Sequence, residues 1–425
     1  MRDQAANRDN ANQLRSHRIV VTGLGVITSI GIGCEQFWKA LLAGCSGVGP
    51  VEAFDTSDFP AHLGAEVKTF EPERYVFHRL PTQIDRASTF AIAAARLAVC
   101  DAALPISDSE ADDFGIVVGT TSGEPRVIER FDEHYVAGEI KNIGHNFIST
   151  YPCSALATNV ACELGIGGDV VTIPTACAAG NHATAYAFDA LRSGKAQVML
   201  AGGADSFSRI TYTGFARLGA IAPNLCQPFD LNRKGMIPGE GAAFLVLERL
   251  DHAQMRSARV YAEVAGYGLS CDAHHMTAAH PNARGGVRAM EIALKSAGVD
   301  PPHVDYISAH GTGTPTNDRL ETIAIKRVFG DYAHQVPISS IKSMLGHTMG
   351  AASAIEAVAC VLAIADDRIP PTINLVSPDP ECDLDFVPLV SRSHKVNVAL
   401  NNAYAFGGNN SSVVFARCGA LGTNL

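Results

Sequence analysis

The residues from Val170 to Asp205, VVTIPTACAAGNHATAYAFDALRSGKAQVMLAGGAD, constrain the fold more than any other stretch of the chain. VVTI is a short β-branched run and reads as a buried strand. PTAC is a tight turn, and Ala178 to Arg192 reads as a helix halted at Ser193-Gly194. QVMLAGGAD is a second buried strand. Gly180, Ala183, Ala187 and Ala190 recur at helical spacing, so another element must pack very closely on that face. Cys177 falls where strand turns into helix. Unpaired backbone N–H groups and the positive end of the helix dipole gather there, which favours thiolate over thiol and suits a nucleophile. Taken alone, the residue reads more readily as a buried structural cysteine.

The rest of the chain repeats the alternation. Asp85 to Ala103 reads as a long alanine-rich helix, Phe114 to Gly119 as a buried strand, and AAFLVLERL and Tyr261 to Leu269 as strands. Val287 to Ala297 and Asp318 to Phe329 are helical. Val304 to Ala309 is a strand ending at His310, and Val336 to Ser343 a strand ending near His347. Thr348 to Ala365 is a helix and Val396 to Ala403 a late strand. This order indicates α/β architecture with mainly parallel sheets. It also suggests duplication. A strand, a turn, Cys177 and a small-residue helix in the first half are matched by a strand, a turn, His347 and GAASAIEAVA in the second. If a pseudo-twofold relates the halves, the two helices pack together in the middle.

Composition removes several classes. With 47% hydrophobic and 18% charged residues, neither disorder nor a fibrous chain is indicated. A net charge of −10 with intermixed signs argues against a nucleic-acid surface or a polybasic membrane patch. Eleven scattered cysteines without a CxxC pair point to reduced thiols and a cytoplasmic location. The first 17 residues are polar, reading as a disordered extension and not a secretory signal. No uncharged apolar run of about 18 residues is present, so no membrane-spanning helix is expected. RIVVTGLGVITSIG, from Arg18, reads as a strand and a glycine-rich loop. It lacks the third glycine and the later acidic residue of a dinucleotide site.

His310 opens HGTGTPTND at a strand's carboxyl end, where open α/β sheets hold ligands. His347 lies in KSMLGHTMGAA, five residues after Lys342. A thiolate with two imidazoles suits acyl transfer, in which an oxyanion is stabilised and a proton handled. Gly407 and Gly408 allow the Phe406 N–H to approach a substrate oxygen, with the Cys177 N–H as its partner in an oxyanion hole. His274, His275 and His280 form another cluster, read as a surface loop near the pocket mouth because their spacing does not converge on zinc.

On the motifs RIVVTGLGVITSIG, PTACAAG, QPFDLNRKGMIPGEGA, HGTGTPTND, KSMLGHTMGAASAIE, PPTINL, CDLDFVP and NNAYAFGGNNSS, the sequence resembles the β-ketoacyl-[acyl-carrier-protein] synthases from Arg18 to Arg417. The type II elongating enzyme of this thiolase-superfamily group is the nearest in kind. The resemblance implies an α/β, thiolase-like duplicated αβαβα five-layer fold. Its N-terminal half (18–258) carries Cys177, and its C-terminal half (259–418) carries His310 and His347. The extension 1–17 and a tail, 419–425, flank them. It implies that Cys177 accepts an acyl group from an acyl carrier protein. Malonyl-carrier then loses carbon dioxide, and the carbanion attacks the acyl thioester in a decarboxylative Claisen condensation, extending the chain by two carbons.

In the same reading His310 and His347 polarise the malonyl thioester carbonyl and His310 assists decarboxylation. Lys342 stands near the second histidine, and Asp318 and Glu321 hold the site's charge network. Lys342 and Glu321 read equally as a buried ion pair. Thr312, Thr314 and Thr277 bind the phosphopantetheine arm, and Phe406 is a gate. No metal or cofactor is implied beyond the arm of the carrier protein. The expected assembly is a homodimer, or a heterodimer with a chain-length-factor-like subunit. Two departures bear on substrate. Ala405 and Asn409 stand in AFGGNN where the family often has GFGGTN, and Ser122, in TTSGE, stands where an apolar residue floors the acyl pocket. They lean toward a specialised polyketide or polyene ketosynthase as the alternative to fatty-acid synthesis. A thiolase, a cysteine hydrolase and a non-condensing partner subunit are rival readings, the last opposed by the presence of Cys177.

Overall fold

The computed structural model describes residues 18–79, 84–106, 111–139, 141 and 147–421. The expected extension 1–17 and the last four residues of the expected tail lie outside them.

In the first half, β1 (Ile19–Thr28) is followed by α1 (Cys34–Leu42) and α2 (Arg86–Asp101). Next come β2 (Phe114–Gly119), α3 (Pro125–Val136), α4 (Ala155–Leu164) and β3 (Val170–Ile173). α5 (Ala179–Arg192), β4 (Val198–Asp205), α6 (Arg209–Arg217) and β5 (Gly241–Arg249) complete it. The second half runs β6 (Ala262–Cys271), α7 (Arg284–Ala297), β7 (Tyr306–Ser308), α8 (Pro315–Phe329) and β8 (Ile338–Ser339). It ends with α9 (Ala352–Asp366), β9 (Val398–Tyr404) and β10 (Asn409–Ala416).

The strands form two half-sheets of the same design, ordered β1-β5-β4-β2-β3 and β6-β10-β9-β7-β8. In each, four strands run in one direction and a single strand, β5 or β10, runs against them. The expectation of mainly parallel sheets holds for strand direction, and the exception in each half is its last strand in sequence, β5 or β10, which lies between two neighbours that run against it. The half-sheets meet where Ile19–Val21 pairs antiparallel with Ala262–Val264. α2 and α4 cover the outer face of the first half-sheet, and α7 and α8 that of the second, while α5 and α9 lie between the two. These are the five layers of the expected thiolase-like fold.

Small residues let the middle layer close. A Cβ on Gly180 of α5 would stand 2.4 Å from the Ala354 nitrogen of α9, so the helices touch backbone to backbone. The segment Met349–Asp366 is long and apolar enough to span a membrane, but it is a core helix buried in this layer. Three local readings change. Gly23 and Gly25 belong to a continuous strand and not to a loop. A Cβ there would come within 2.3 Å of the Ala98 carbonyl oxygen and 1.9 Å of that of Ala94, so these glycines admit α2 onto the sheet. β3 is an edge strand and is half exposed, with Val170 39% accessible, not buried. The strand read as Val336 to Ser343 is only the two-residue β8, and Lys342 begins a separate short helix, Lys342–Leu345.

Candidate active site

Cys177 lies in a single 3-10 turn, Ala176–Ala178, between β3 and α5. Ala176 adopts a left-handed φ of 51°, which L side chains disfavour. This kink turns the chain sharply and sets the thiol at the helix start. The second half has a similar turn. Met349 has φ 53° and opens the 3-10 turn Met349–Ala351 before α9. By this match the counterpart of Cys177 is Gly350, not His347. His347 comes from the longer connection, 340–348, that follows β8.

The Nε2 atom of His347 lies 3.1 Å from Cys177 Sγ. Its Nδ1 accepts a hydrogen bond from the Met349 N–H at 3.2 Å, so the neutral ring carries its hydrogen on Nε2 and donates toward the sulfur. The His310 ring stands 5.5 Å from that of His347, nearly perpendicular at 84°. Both imidazoles are held well below the ordinary histidine range, first by burial and then by the Lys342 charge. Both are therefore neutral near pH 7.

The thiol does not behave as its place in the sequence suggests. Burial pushes Cys177 up to about 12, against the opposing pull of Lys342 and of its own backbone N–H, with Asp205 and Glu356 adding to the rise. The helix start is outweighed because burial leaves a thiolate poorly solvated.

Lys342 is buried and ion-paired with Glu356 of α9, not with Glu321. Glu356 falls within KSMLGHTMGAASAIE, but no local signal marks it. Burial raises it to about 7 against the pull of the lysine. Glu321 instead accepts the backbone N–H groups of His310 and Gly311, each at 2.8 Å. Asp318 accepts those of Phe229 at 2.8 Å and Gly313 at 3.2 Å, with Arg233 3.7 Å away. The two acids hold the loop that presents His310. Burial raises Glu321 to about 8 and Asp318 to about 6. Asp205 is a further residue that sequence reasoning missed. It accepts from the Thr120 hydroxyl at 2.8 Å and from the N–H groups of Thr121 and Gly350 at 2.7 and 2.6 Å. It thereby ties a loop of each half together beneath the thiol.

One cavity gathers Cys177, His310, His347, Thr277, Thr312, Thr314 and Phe406. The hydroxyls of Thr312 and Thr314 bond to each other at 2.9 Å. Phe406 is at the mouth, its ring 5.5 Å from that of Phe215 on α6. Its loop is pinned by Gly407 N–H donating to the Met276 carbonyl at 2.7 Å, and Gly407 and Gly408 both have left-handed φ values. The backbone therefore needs glycine at both positions. Ser122 is not among the lining residues. It sits on the loop after β2, its N–H donating to Asp205 at 3.2 Å. His274 and His280 meet edge to face on an exposed loop, their ring centroids 5.2 Å apart.

The donor atoms of Cys177, His310 and His347 lie within 4.8 Å of one another, a set that zinc could use. Ligation would need the Nε2 lone pair of His347. The Met349 N–H directed at Nδ1 keeps a hydrogen on Nε2, so the group is built to donate hydrogen bonds, not to hold a cation.

Comparisons with known proteins agree on one family. Residues 16–253 match the family model "Beta-ketoacyl synthase, N-terminal domain", and residues 261–376 match "Beta-ketoacyl synthase, C-terminal domain". The chain is 41% identical over 416 residues to the 3-oxoacyl-[acyl-carrier-protein] synthase 2 of Synechocystis sp., covering 95% of this chain and 99% of that one. It is 42% identical over 399 residues to Nodulation protein E of Rhizobium sp., covering 94% and 98%. Among solved structures, the ishigamide ketosynthase/chain length factor superimposes with a TM-score of 0.91 at 44% identity, covering 95% of this chain and 99% of that chain.

Proposed function

The chain belongs to the β-ketoacyl synthase family, and on that premise we propose that Cys177 carries the acyl group which this condensing enzyme extends. The enzyme is a 3-oxoacyl-[acyl-carrier-protein] synthase. It joins an enzyme-held acyl chain to malonyl-carrier protein with loss of carbon dioxide, and both substrates travel on the carrier's phosphopantetheine. The observation that carries the residue assignment is the 3.1 Å approach of His347 Nε2–H to the thiol, with His310 beside it in one cavity.

In the first half-reaction the Cys177 sulfur attacks the acyl thioester and the carrier thiol leaves with the proton. Lys342 and the His347 Nε2–H favour the thiolate against burial. In the second, the malonyl arm lies along Thr277, Thr312 and Thr314. The bond to the carboxylate breaks, its electron pair moves to the α-carbon, and charge collects on the thioester oxygen. Two neutral imidazoles are suited to that oxygen because their N–H groups donate without first losing a proton. The carbanion then attacks the acyl-Cys177 carbonyl, and the oxyanion is met by the N–H groups of Cys177 and Phe406. The C–S bond breaks and the 3-oxoacyl product departs on the carrier. Asp318 and Glu321 act by holding the His310 loop. A role for Ser122 in the acyl channel rests on resemblance alone.

A dimer is supported by β3. Its outer edge is unpaired among the described residues although VVTI is apolar, and the Thr172 and Thr175 hydroxyls beside it are buried without partners. An open apolar edge is a template for another strand. A second reading, a ketosynthase subunit paired with a chain-length-factor-like partner, is favoured by the 44% identity to the ishigamide ketosynthase/chain length factor. A cytoplasmic site of action is supported by eleven free cysteines. The halves 18–258 and 259–418 are proposed as duplicated units.

Intact-mass analysis against a panel of acyl carrier proteins, with and without a partner subunit, tests the assignment. Cys177→Ala should take up no acyl group yet still decarboxylate malonyl-carrier, while His310→Ala and His347→Ala should acylate and fail to condense. Normal condensation by Cys177→Ala would end the reading.

A further inference from the structure

We propose that the phenolic hydroxyl of Tyr404 is the hydrogen-bond donor that receives the carboxylate of the malonyl group, a contact that rests on the condensation reading above. Tyr404 is the last residue of β9, and its ring lines the cavity that holds Cys177. It lies 5.8 Å from the His310 ring at 65°. The hydroxyl is buried and has no hydrogen-bond partner among the described residues. His310 Nδ1, in the same cavity, is likewise buried and unpartnered. Room for the ring comes from Gly286 of α7. A Cβ there would stand 3.1 Å from two ring carbons and 3.3 Å from the hydroxyl oxygen.

A buried hydroxyl without a partner weakens a fold, so two orphaned polar atoms on neighbouring rings that line one substrate cavity point to a ligand that satisfies them. Of the malonyl thioester's oxygens, the carbonyl is assigned to the imidazole donors. The two carboxylate oxygens still require a donor. Tyr404 cannot act as a base, because burial, with Glu321 and Asp272 nearby, holds its proton well above the ordinary tyrosine range. It donates and keeps its proton. When the bond between α-carbon and carboxylate breaks, the electron pair stays with the α-carbon and carbon dioxide leaves neutral. The hydrogen bond is therefore strong to the bound carboxylate and weak to the departing product. Such a contact aims and holds the extender unit, so its loss should appear in KM more than in kcat.

Tyr404→Phe removes one oxygen and no packing. With Cys177 already acylated, the KM for malonyl-carrier should rise about tenfold or more, the scale of a hydrogen bond to a charged group. Acylation of Cys177 should stay within about twofold of wild type, since that step has no carboxylate. In a Cys177→Ala background, Tyr404→Phe should erode the preference for binding malonyl-carrier over acetyl-carrier, which a merely structural role would not do. Gly286→Ala, which displaces the ring and keeps the hydroxyl, should raise the malonyl KM in the same direction. A Tyr404→Phe enzyme with malonyl KM unchanged, or with acylation and condensation equally reduced, overturns the proposal. If the wild-type enzyme forms no condensation product, the broader reading fails instead.

Discussion

Lys342→Met and Glu356→Gln should change stability in the same direction and the reactivity of Cys177 in opposite directions. Both side chains are 1% exposed and paired only across the short gap between the Lys342–Leu345 turn and α9. Removing either charge leaves the other buried and uncompensated, which costs about 3–5 kcal/mol. Replacing both, as Lys342→Met with Glu356→Leu, keeps the volume and removes the desolvation penalty, so the double variant should be more stable than either single. The thiol responds differently. Lys342 is the main influence opposing the burial that holds Cys177 at about 12, whereas Glu356 adds to the rise. Lys342→Met should therefore slow alkylation at fixed pH and Glu356→Gln should hasten it. Each tenfold change in rate corresponds to about 1.4 kcal/mol in thiolate stability. Denaturant midpoints report the first effect. Iodoacetamide labelling at pH 7–9, read by mass at the Cys177 peptide because ten other cysteines compete, reports the second. Reactivity changes of the same sign in both singles, or a double variant whose destabilisation is the sum of the two, would refute the reasoning.

Gly180→Ala should cost about 1–3 kcal/mol or more and slow acylation, because the new methyl meets the Ala354 backbone at 2.4 Å and must force α5 from α9. Gly214→Ala, inside α6 with nothing within 4 Å of its Cβ, is the control in the same melts and should show no loss and a gain of up to about 1 kcal/mol. Glu321 titrates near 8 in the fold, so the native state keeps a proton that the unfolded chain loses above about pH 4.3. Its contribution to stability therefore falls as pH rises toward 8, and Glu321→Gln should flatten the decline across pH 5–8 in urea melts; parallel slopes would count against it. Val171→Lys on the open edge of β3 should shift the chain to monomer in sedimentation, and an unchanged assembly would place the interface elsewhere.

The alternation of strands and helices, the strand-to-helix turn bearing Cys177 and the strand end bearing His310 were legible because period and turn residues are local signals, whereas His347 lies well past the end of β8. What failed depended on distant partners. Gly23 and Gly25 read as a loop because nothing nearby in sequence announces the backbone of α2 lying against them. VVTI read as a buried strand because an apolar run looks the same whether its partner is this chain or another. Lys342 has acids on two helices, and only the tertiary fold chooses Glu356 over Glu321. The thiol was misjudged for a related reason. Position at a helix start is local, while the burial that dominates it comes from both halves.

The duplicated design explains why the site is asymmetric. Each half carries the same strained turn, led by Ala176 in one and Met349 in the other. In the first, the next residue is Cys177, the proposed nucleophile. In the second it is Gly350, where a Cβ would fall 2.4 Å from the Thr120 carbonyl carbon, so no side chain fits and the backbone N–H is given to Asp205 instead. The second turn still has chemical work. Its left-handed Met349 aims an N–H at His347 Nδ1 and so fixes the hydrogen on the nitrogen that faces the sulfur. One copy of the turn thus presents the thiol and the other sets the tautomer of its partner. The 3.1 Å approach to the thiol depends on the longer 340–348 connection, which lets His347 reach across the pseudo-twofold where a strict repeat would place only a second turn.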